Sequence, residues 1–402
     1  MRPFTSTISL DEARRHLAAG VRPISRTERL PVGNAAGRVA AEDITSTIDV
    51  PPFARSAMDG YAVVAADTAG ASREHPRALR LAERIYTGAP GLRTVTTGTC
   101  AEIATGAPMP RGADAVVMVE DTETIGDDGM RCFAEVKPGQ HVGRQAADIA
   151  AGATVVRAGD ALTPGRVGAL AAVGATSLLV YARPRVAILS TGNEIVEPGQ
   201  PLAPGQIYDV NRFTLAALIS THGCVAEPHH AAEDTLEALH TALARAADAD
   251  VIVFSGGSSV GARDLIVDLV HAQGEVVFHG IAVRPGKPTL FGRVGRAAFF
   301  GMPGNPTSCL SNAYILLLPF LRATARLPIH LPQTRRLPLA RRIVSVAGRH
   351  QFYSVSIRDG AVHPAFKGSG DITSLSAADG YIEIPSDESV VEEGAMLEVT
   401  LF

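Results

Sequence analysis

Three short apolar runs, at residues 186–189, 251–254 and 297–300, each lead straight into a loop of glycine and small polar residues. A strand with no polar residue on either face cannot lie half in water, so each run demands cover on both sides. The intervening segments supply it. Residues 213–221 and 235–247 have helical periodicity, and an apolar helix follows the third loop to about residue 323. Strands alternating with helices predict a parallel α/β sheet covered on both faces. Upstream, Ser9-Leu10-Asp11-Glu12 opens a short helix with a capping box, which Gly20 and Pro23 end. Residues 164–173 form a further helix with proline in its first turn.

Elsewhere the pattern changes. Residues 28–50 read as short strands and turns. From 51 to 149, strand-like runs (100–104, 115–119 and 134–136) alternate with Gly/Pro turns and no helical period is sustained, which predicts a β-rich insertion. Beyond Pro332, alternating strands at 342–346, 352–357, 381–384 and 396–400 predict a small C-terminal β domain. A chain of 402 residues has room for several domains, at roughly 100–200 residues each.

The formal charge of −4 argues against a general nucleic-acid binder, which needs a basic stripe. Cys100, Cys132, Cys224 and Cys309 stand far apart with no Cys-x-x-Cys pair. That spacing fits a reduced compartment and indicates neither a zinc site nor a disulfide framework. No apolar leader opens the chain, and its most apolar stretch, 313–321, is far short of the ~20 residues of a membrane span. A soluble, cytoplasmic protein is expected.

The chemistry concentrates in the loops. One is Ser190-Thr191-Gly192-Asn193-Glu194, the second runs from Ser255 and Gly256 through Gly257 and Ser259 to Gly261, and the third holds Pro303-Gly304-Asn305-Pro306 and Ser308. In open α/β sheets ligands bind beyond the carboxyl ends of the strands. Glycine lets backbone amides approach phosphate oxygens, and a following helix start favours negative charge. One such loop is as often an ordinary sharp turn, but three on one sheet edge favour an anionic ligand, a nucleotide or another phosphorylated compound. None fits the P-loop or the Gly-x-Gly-x-x-Gly pattern.

Arg284-Pro285-Gly286-Lys287-Pro288 follows a strand-like run. Two cations in a restrained loop suit a tetrahedral oxyanion; the alternative is a solvated turn. Lysine is scarce here, at Lys137, Lys287 and Lys367 alone among 37 basic residues, and that scarcity favours a function for Lys287. Glu194 and Asp264, close to these loops, suit a magnesium ion bridging phosphates, although alone either acid would more often cap a helix.

The block Pro51-Pro52-Phe53-Ala54-Arg55-Ser56-Ala57-Met58-Asp59-Gly60-Tyr61-Ala62-Val63 closely resembles the hallmark of the molybdopterin molybdenumtransferases, the MoeA family, and the matching domain of gephyrin. Further matches follow in order: Thr105 to Pro110, Ala113 to Val117, Asp148-Ile149, Ser190 to Glu194, Gly205 to Asn211, Ser255 to Gly261, Pro285 to Pro288 and Pro303 to Pro306. The likeness runs from about residue 8 to the end.

The resemblance implies a multidomain α/β protein of four domains. These are a molybdopterin-binding-like α/β domain (8–27 plus 175–331), a linking domain (28–50 plus 150–174), a β-rich insertion (51–149) and a C-terminal β-barrel-like domain (332–402). It also implies an elongated homodimer with an inter-subunit site. Asp59, Thr105 and Asp148 would come from one subunit, and Glu194, Asp234, Asp264 and the glycine loops from the other. The implied reaction inserts molybdenum from molybdate into molybdopterin-AMP and releases AMP, with Mg2+ held by Asp264 and Asp234. Molybdate would meet Lys287, Arg284, Pro288 and Ser308, with Arg349 and Ser369 from the C-terminal domain. Implied partners are a molybdopterin adenylyltransferase and molybdoenzyme apoproteins, with no nucleic acid and no membrane. The chain departs from the family pattern at Arg284 (commonly lysine), Ser258 (usually valine), Ala147 (usually glutamate) and Ser354 (often arginine). Two other readings share some of these features: a molybdopterin adenylyltransferase, which has the same α/β domain, and a non-catalytic scaffold.

Overall fold

The computed structural model describes residues 7–233, 235–256 and 265–402. The chain forms two compact units: residues 1–28, 37–39 and 180–402, and residues 29–36 and 40–179.

In the first unit the three apolar runs are adjacent strands, Arg185–Ser190, Val251–Ser255 and Ala297–Met302, paired in parallel. Their alternation explains the lack of polar positions. Val186, Ile188, Val251, Val253, Ala298 and Phe300 enter one core, with Leu10, Leu17, Leu215 and Phe320. Ala187, Leu189, Ile252, Phe254, Ala297 and Phe299 enter the other, with Leu239, Leu243 and Leu269. Val225–Pro228 extends the parallel set at one edge. At the opposite edge the sheet becomes mixed. Leu290–Val294 turns back antiparallel to Ala297–Met302, and Gly274–His279 lies antiparallel beyond it. Only two residues separate Leu290–Val294 from Ala297–Met302, too few for the crossover that parallel neighbours require.

The helices begin where capping chemistry places them. Ser9 accepts from the Glu12 amide at 3.2 Å to start Leu10–Gly20, and Thr235 accepts from the Ala238 amide at 3.2 Å to start Leu236–Arg245. Asn211–Thr221 starts two residues before the expected position, with Asp209 accepting from the Arg212 amide at 3.1 Å. The helix after the third loop runs Pro306–Asn312, passes through a π-turn at Ala313–Leu317 and continues as Leu318–Thr324.

A second sheet in this unit joins Val283–Arg284, His350–Arg358, Gly380–Ile384, Met396–Leu401 and Thr334–Pro338, with Ala361–Pro364 on His350–Arg358. The expected strand at 342–346 shortens to Ile343–Val344, which pairs only with Val390–Val391.

The second unit holds a six-stranded sheet in the order Ala115–Met118, Gly60–Val63, Thr99–Ile103, Arg77–Ile85, Gly129–Cys132 and Thr122–Ile125. The strand expected at 134–136 is absent. Val136 is buried, but its amide donates to Thr68 Oγ1 at 3.0 Å rather than to a neighbouring strand. Pro164–Ala172 is the expected helix, capped by Thr163. No helix among the described residues is long and apolar enough to cross a membrane.

Candidate active site

Ser190, Ser255 and Met302 are register neighbours across the parallel strands, so the three loops leave the sheet at one level. Between them lies a cleft of about 600 Å3. Ser190, Thr191, Ser255 and Gly256 line it from the first two loops, and Pro303, Gly304, Asn305, Pro306 and Ser308 from the third. Glu194 stands exposed at its side. Gly192 is outside the lining and bends the first loop around the Glu194 carboxylate, 2.7 Å from where a Cβ would stand.

Gly256 is required by the geometry. Its φ is +112°, and a Cβ there would lie 2.3 Å from the Thr191 carbonyl oxygen. The backbone at Gly256, where the second loop begins, therefore lies directly against Thr191 of the first. Asn211, 8% exposed, then ties two loops together, its Nδ2 donating to Ser255 Oγ at 2.8 Å and to the Gly304 carbonyl at 2.7 Å. Two buried acceptors on this wall, Asn211 Oδ1 and Ser190 Oγ, have no hydrogen-bond partner among the described residues. Buried polar atoms left in that state mark a place where a ligand can supply the missing bond.

Three other side chains near the cleft make contacts of their own. Asp209, 4% exposed, faces Arg212 at 3.3 Å. Arg212 also hydrogen-bonds Glu197 and holds that carboxyl below its ordinary range. Cys309 lies 3.9 Å from Ser255 Oγ, and burial pushes its thiol up to about 12. It is therefore a packed neutral thiol and not a nucleophile. All four cysteines are buried and unbridged.

A second cleft of about 430 Å3 shares Pro288, Asn305 and Ser308 with the first. Arg284, Lys287, Arg349 and Ser369 line it, as does Lys367. The Arg284 strand pairs in parallel register with His350 and Gln351, and Arg349, just before that pairing, lines the same cleft. Gly286, with φ +100°, lies against Asn312, whose side chain would stand 2.2 Å from an added Cβ. Asn312 donates to the Gly286 carbonyl at 2.9 Å and fixes the loop from beneath. Asn305 Nδ2 donates to Ser369 Oγ at 3.1 Å, and the Thr307 amide donates to the Ser369 carbonyl at 3.1 Å. The C-terminal loop is thereby pinned to the start of the helix after the third strand.

In the second unit, Asp59 and Thr105 come together. Both are exposed, and Asp59 Oδ1 accepts from the Thr105 amide at 2.8 Å. Asp148 lies on a different pairing, its amide donating to the Val50 carbonyl at 2.9 Å, with an exposed side chain. Asp234, Asp264, Gly257, Ser259 and Gly261 lie outside the described residues, as does Ser258. Among the described residues no group of three or more His, Cys, Asp and Glu side chains could hold a metal ion.

Lys367 and Asn211 are among the cleft residues that sequence reasoning left without a site role. Lys367 carried a usable signal, since two of the chain's three lysines line one cleft. Asn211 carried none beyond its place in the Gly205 to Asn211 motif.

Residues 8–174 match the MoeA N-terminal region (domains I and II), 187–323 the probable molybdopterin binding domain, and 336–402 the MoeA C-terminal region (domain IV). Molybdopterin molybdenumtransferase 2 of Mycobacterium tuberculosis is 37% identical over 94% of this chain and 95% of its own length. The molybdopterin molybdenumtransferase of Haemophilus influenzae is 33% identical over 98% of each chain. A solved MoeA structure from Pyrococcus horikoshii superposes with a TM-score of 0.84 at 38% identity, covering 98% of this chain and 99% of its own. By sequence and by fold, the chain belongs to the molybdopterin molybdenumtransferase (MoeA) family.

Proposed function

We propose that the chain inserts molybdenum from molybdate into adenylated molybdopterin and releases AMP, the closing step of molybdenum cofactor synthesis. The observation that carries this reading is the pairing of two unlike clefts with a common wall. One is built of backbone, hydroxyl and amide groups at the carboxyl ends of parallel strands, which suits phosphates and a nucleotide. The other is cationic, which suits a tetrahedral oxyanion. With the phosphoanhydride in the first and molybdate in the second, the dithiolene sulfurs receive the metal beside Asn305 and Ser308. Ser190 and Asn211 offer the nucleotide side their unpaired acceptors.

Magnesium fits at the side of the nucleotide cleft. A phosphate-bridging Mg2+ needs only one or two protein carboxylates, and Glu194 stands there exposed. Asp234 and Asp264 carry over from the family pattern as further ligands. Bound there, the ion would neutralise charge developing as the anhydride breaks. In this reading the chain acts in the cytoplasm as a homodimer, with Asp59, Thr105 and Asp148 completing the partner subunit's site, and it is built of the four domains given above.

Incubation with molybdopterin-AMP, Mg2+ and molybdate should yield cofactor and AMP in equal amounts. ATP consumption with free molybdopterin would instead identify an adenylyltransferase, and absence of either turnover would leave a scaffold. Asp59→Asn keeps the shape of the side chain and its acceptor for the Thr105 amide while removing the charge. It should slow AMP release at least tenfold without loss of fold. A folded variant that works at the unmodified rate would make Asp59 a turn cap only. Sedimentation at micromolar concentration tests the dimer, and a monomer that retains full activity would remove the inter-subunit site.

A further inference from the structure

The oxyanion cleft has a charge pattern that its shape alone does not require. Four cations line it: Arg284, Lys287, Arg349 and Lys367. Among the described residues no Asp or Glu lines it, although the Asp371 carboxylate lies behind the lining residue Gly368, 2.7 Å from where a Cβ would stand. Arg284 and Lys287 are half-buried on the proline-flanked loop, whereas Arg349 and Lys367 are exposed and belong to the C-terminal part of the unit. Three cations with Ser308 and Ser369 already offer enough donors to surround a tetrahedral oxyanion. The fourth adds charge more than it adds hydrogen-bonding capacity.

Lys367 is also held in place. Its ammonium donates to Thr373 Oγ1 at 3.1 Å, and its backbone amide donates to Ser374 Oγ at 3.0 Å. Two residues on, Ser369 is pinned to Asn305 and Thr307. A free surface lysine samples many rotamers and loses that freedom on binding. A lysine tethered by a neutral hydroxyl keeps its full charge and has less freedom to lose.

We propose that Lys367 is the charge-selecting residue of this cleft, tuning it toward doubly charged tetrahedral oxyanions over singly charged ones of the same shape. The inference rests on the cleft being the molybdate site. Coulomb energy is proportional to the product of the charges. Removing one cation therefore costs a dianion twice the energy that it costs a monoanion, and the fold-losses stand as a number and its square root. For an exposed ammonium the loss for a dianion is about fourfold at low salt, which leaves about twofold for the monoanion.

Molybdate and perrhenate provide the pair, being tetrahedral tetraoxo anions of charge −2 and −1. Equilibrium dialysis of the full chain against each anion alone, at low and at 0.5 M salt, gives the comparison without any turnover. Lys367→Gln should weaken molybdate binding about fourfold and perrhenate about twofold, with both losses shrinking in high salt. Lys367→Arg should keep the discrimination. If Lys287→Ala weakens molybdate binding while Lys367→Gln changes neither anion, or changes both equally, the inference is overturned and the cleft assignment stands. If neither lysine variant changes molybdate binding, the cleft assignment itself falls.

Discussion

The two clefts share a wall but are built on opposite principles. The cleft proposed for the nucleotide is made of backbone folded over backbone, with Gly256 against Thr191 and Asn211 bonded to Ser255 and Gly304, all within a few ångströms and largely buried. The cleft proposed for the oxyanion is made of long cationic side chains on restrained loops, two of them exposed. In the first, specificity is a matter of packing, so a methyl group is a large perturbation. In the second it is a matter of charge, screened by salt and tolerant of small shifts. The difference sets where the molecule is brittle and where it can be tuned.

The largest test of that contrast is Gly256→Ala. The added Cβ meets the Thr191 carbonyl at 2.3 Å in a backbone conformation that L side chains rarely adopt. A cost of about 3 kcal/mol or more is expected in urea unfolding, with nucleotide binding abolished at any salt concentration. A normal unfolding midpoint would show that the loop yields and that the cleft is not brittle.

Next comes Asn211→Ala, which removes two buried hydrogen bonds and leaves Ser255 and the Gly304 carbonyl short of a partner. The expected loss is about 2 kcal/mol, read both as stability and as affinity for AMP. Insensitivity of AMP affinity would mean that Asn211 is structural alone.

Lys287→Ala belongs to the other cleft. Because Lys287 is half-buried, its loss should raise the molybdate concentration for half-maximal insertion about tenfold, ~1.4 kcal/mol, with rescue by high molybdate. Loss of AMP binding with molybdate dependence intact would place this lysine on the phosphate and dissolve the division between the clefts.

The smallest effect concerns pH. Glu383 accepts from His350, the residue after Arg349, at 2.7 Å, with Arg14 and Tyr381 also near. The His350 hydrogen bond holds the Glu383 carboxyl below its ordinary 4.5 against the opposing effect of burial. Its contribution to stability is therefore complete above pH 4.5 and is lost as the pH falls through the lower folded value. Glu383→Gln should flatten that acid limb in a thermal-melt series, and an unchanged limb would remove the pair from the support of this cleft.

Local patterns in the sequence carried the sheet and its loops. An apolar run covered on both faces is visible residue by residue, and so is the Ser9 cap. The antiparallel Leu290–Val294 strand was not legible as such, because a buried strand has the same apolar signature in either direction. Arg77–Ile85 was missed because its mixed exposure gives no clean alternation. At 134–136 the error ran the other way, since a buried valine satisfied by a threonine hydroxyl looks in sequence like a strand residue. Asn211 and the placement of Lys367 are read only in three dimensions, since Asn211 joins segments 44 and 93 residues away and Lys367 lines the same cleft as Lys287, 80 residues before it.

Asn305 and Ser308 face both chambers, and this has a kinetic meaning. Two dissolved reactants must find each other and surrender their independent tumbling before they can react. Under the proposed assignment, reactants held on either side of the same two side chains would already have done so, and their encounter would become a rearrangement inside one complex. For well-oriented groups such an arrangement corresponds to effective concentrations on the order of 10⁵ M or higher. Under that assignment, one occupancy of the oxyanion chamber would suffice for each waiting acceptor, with no second diffusional encounter needed.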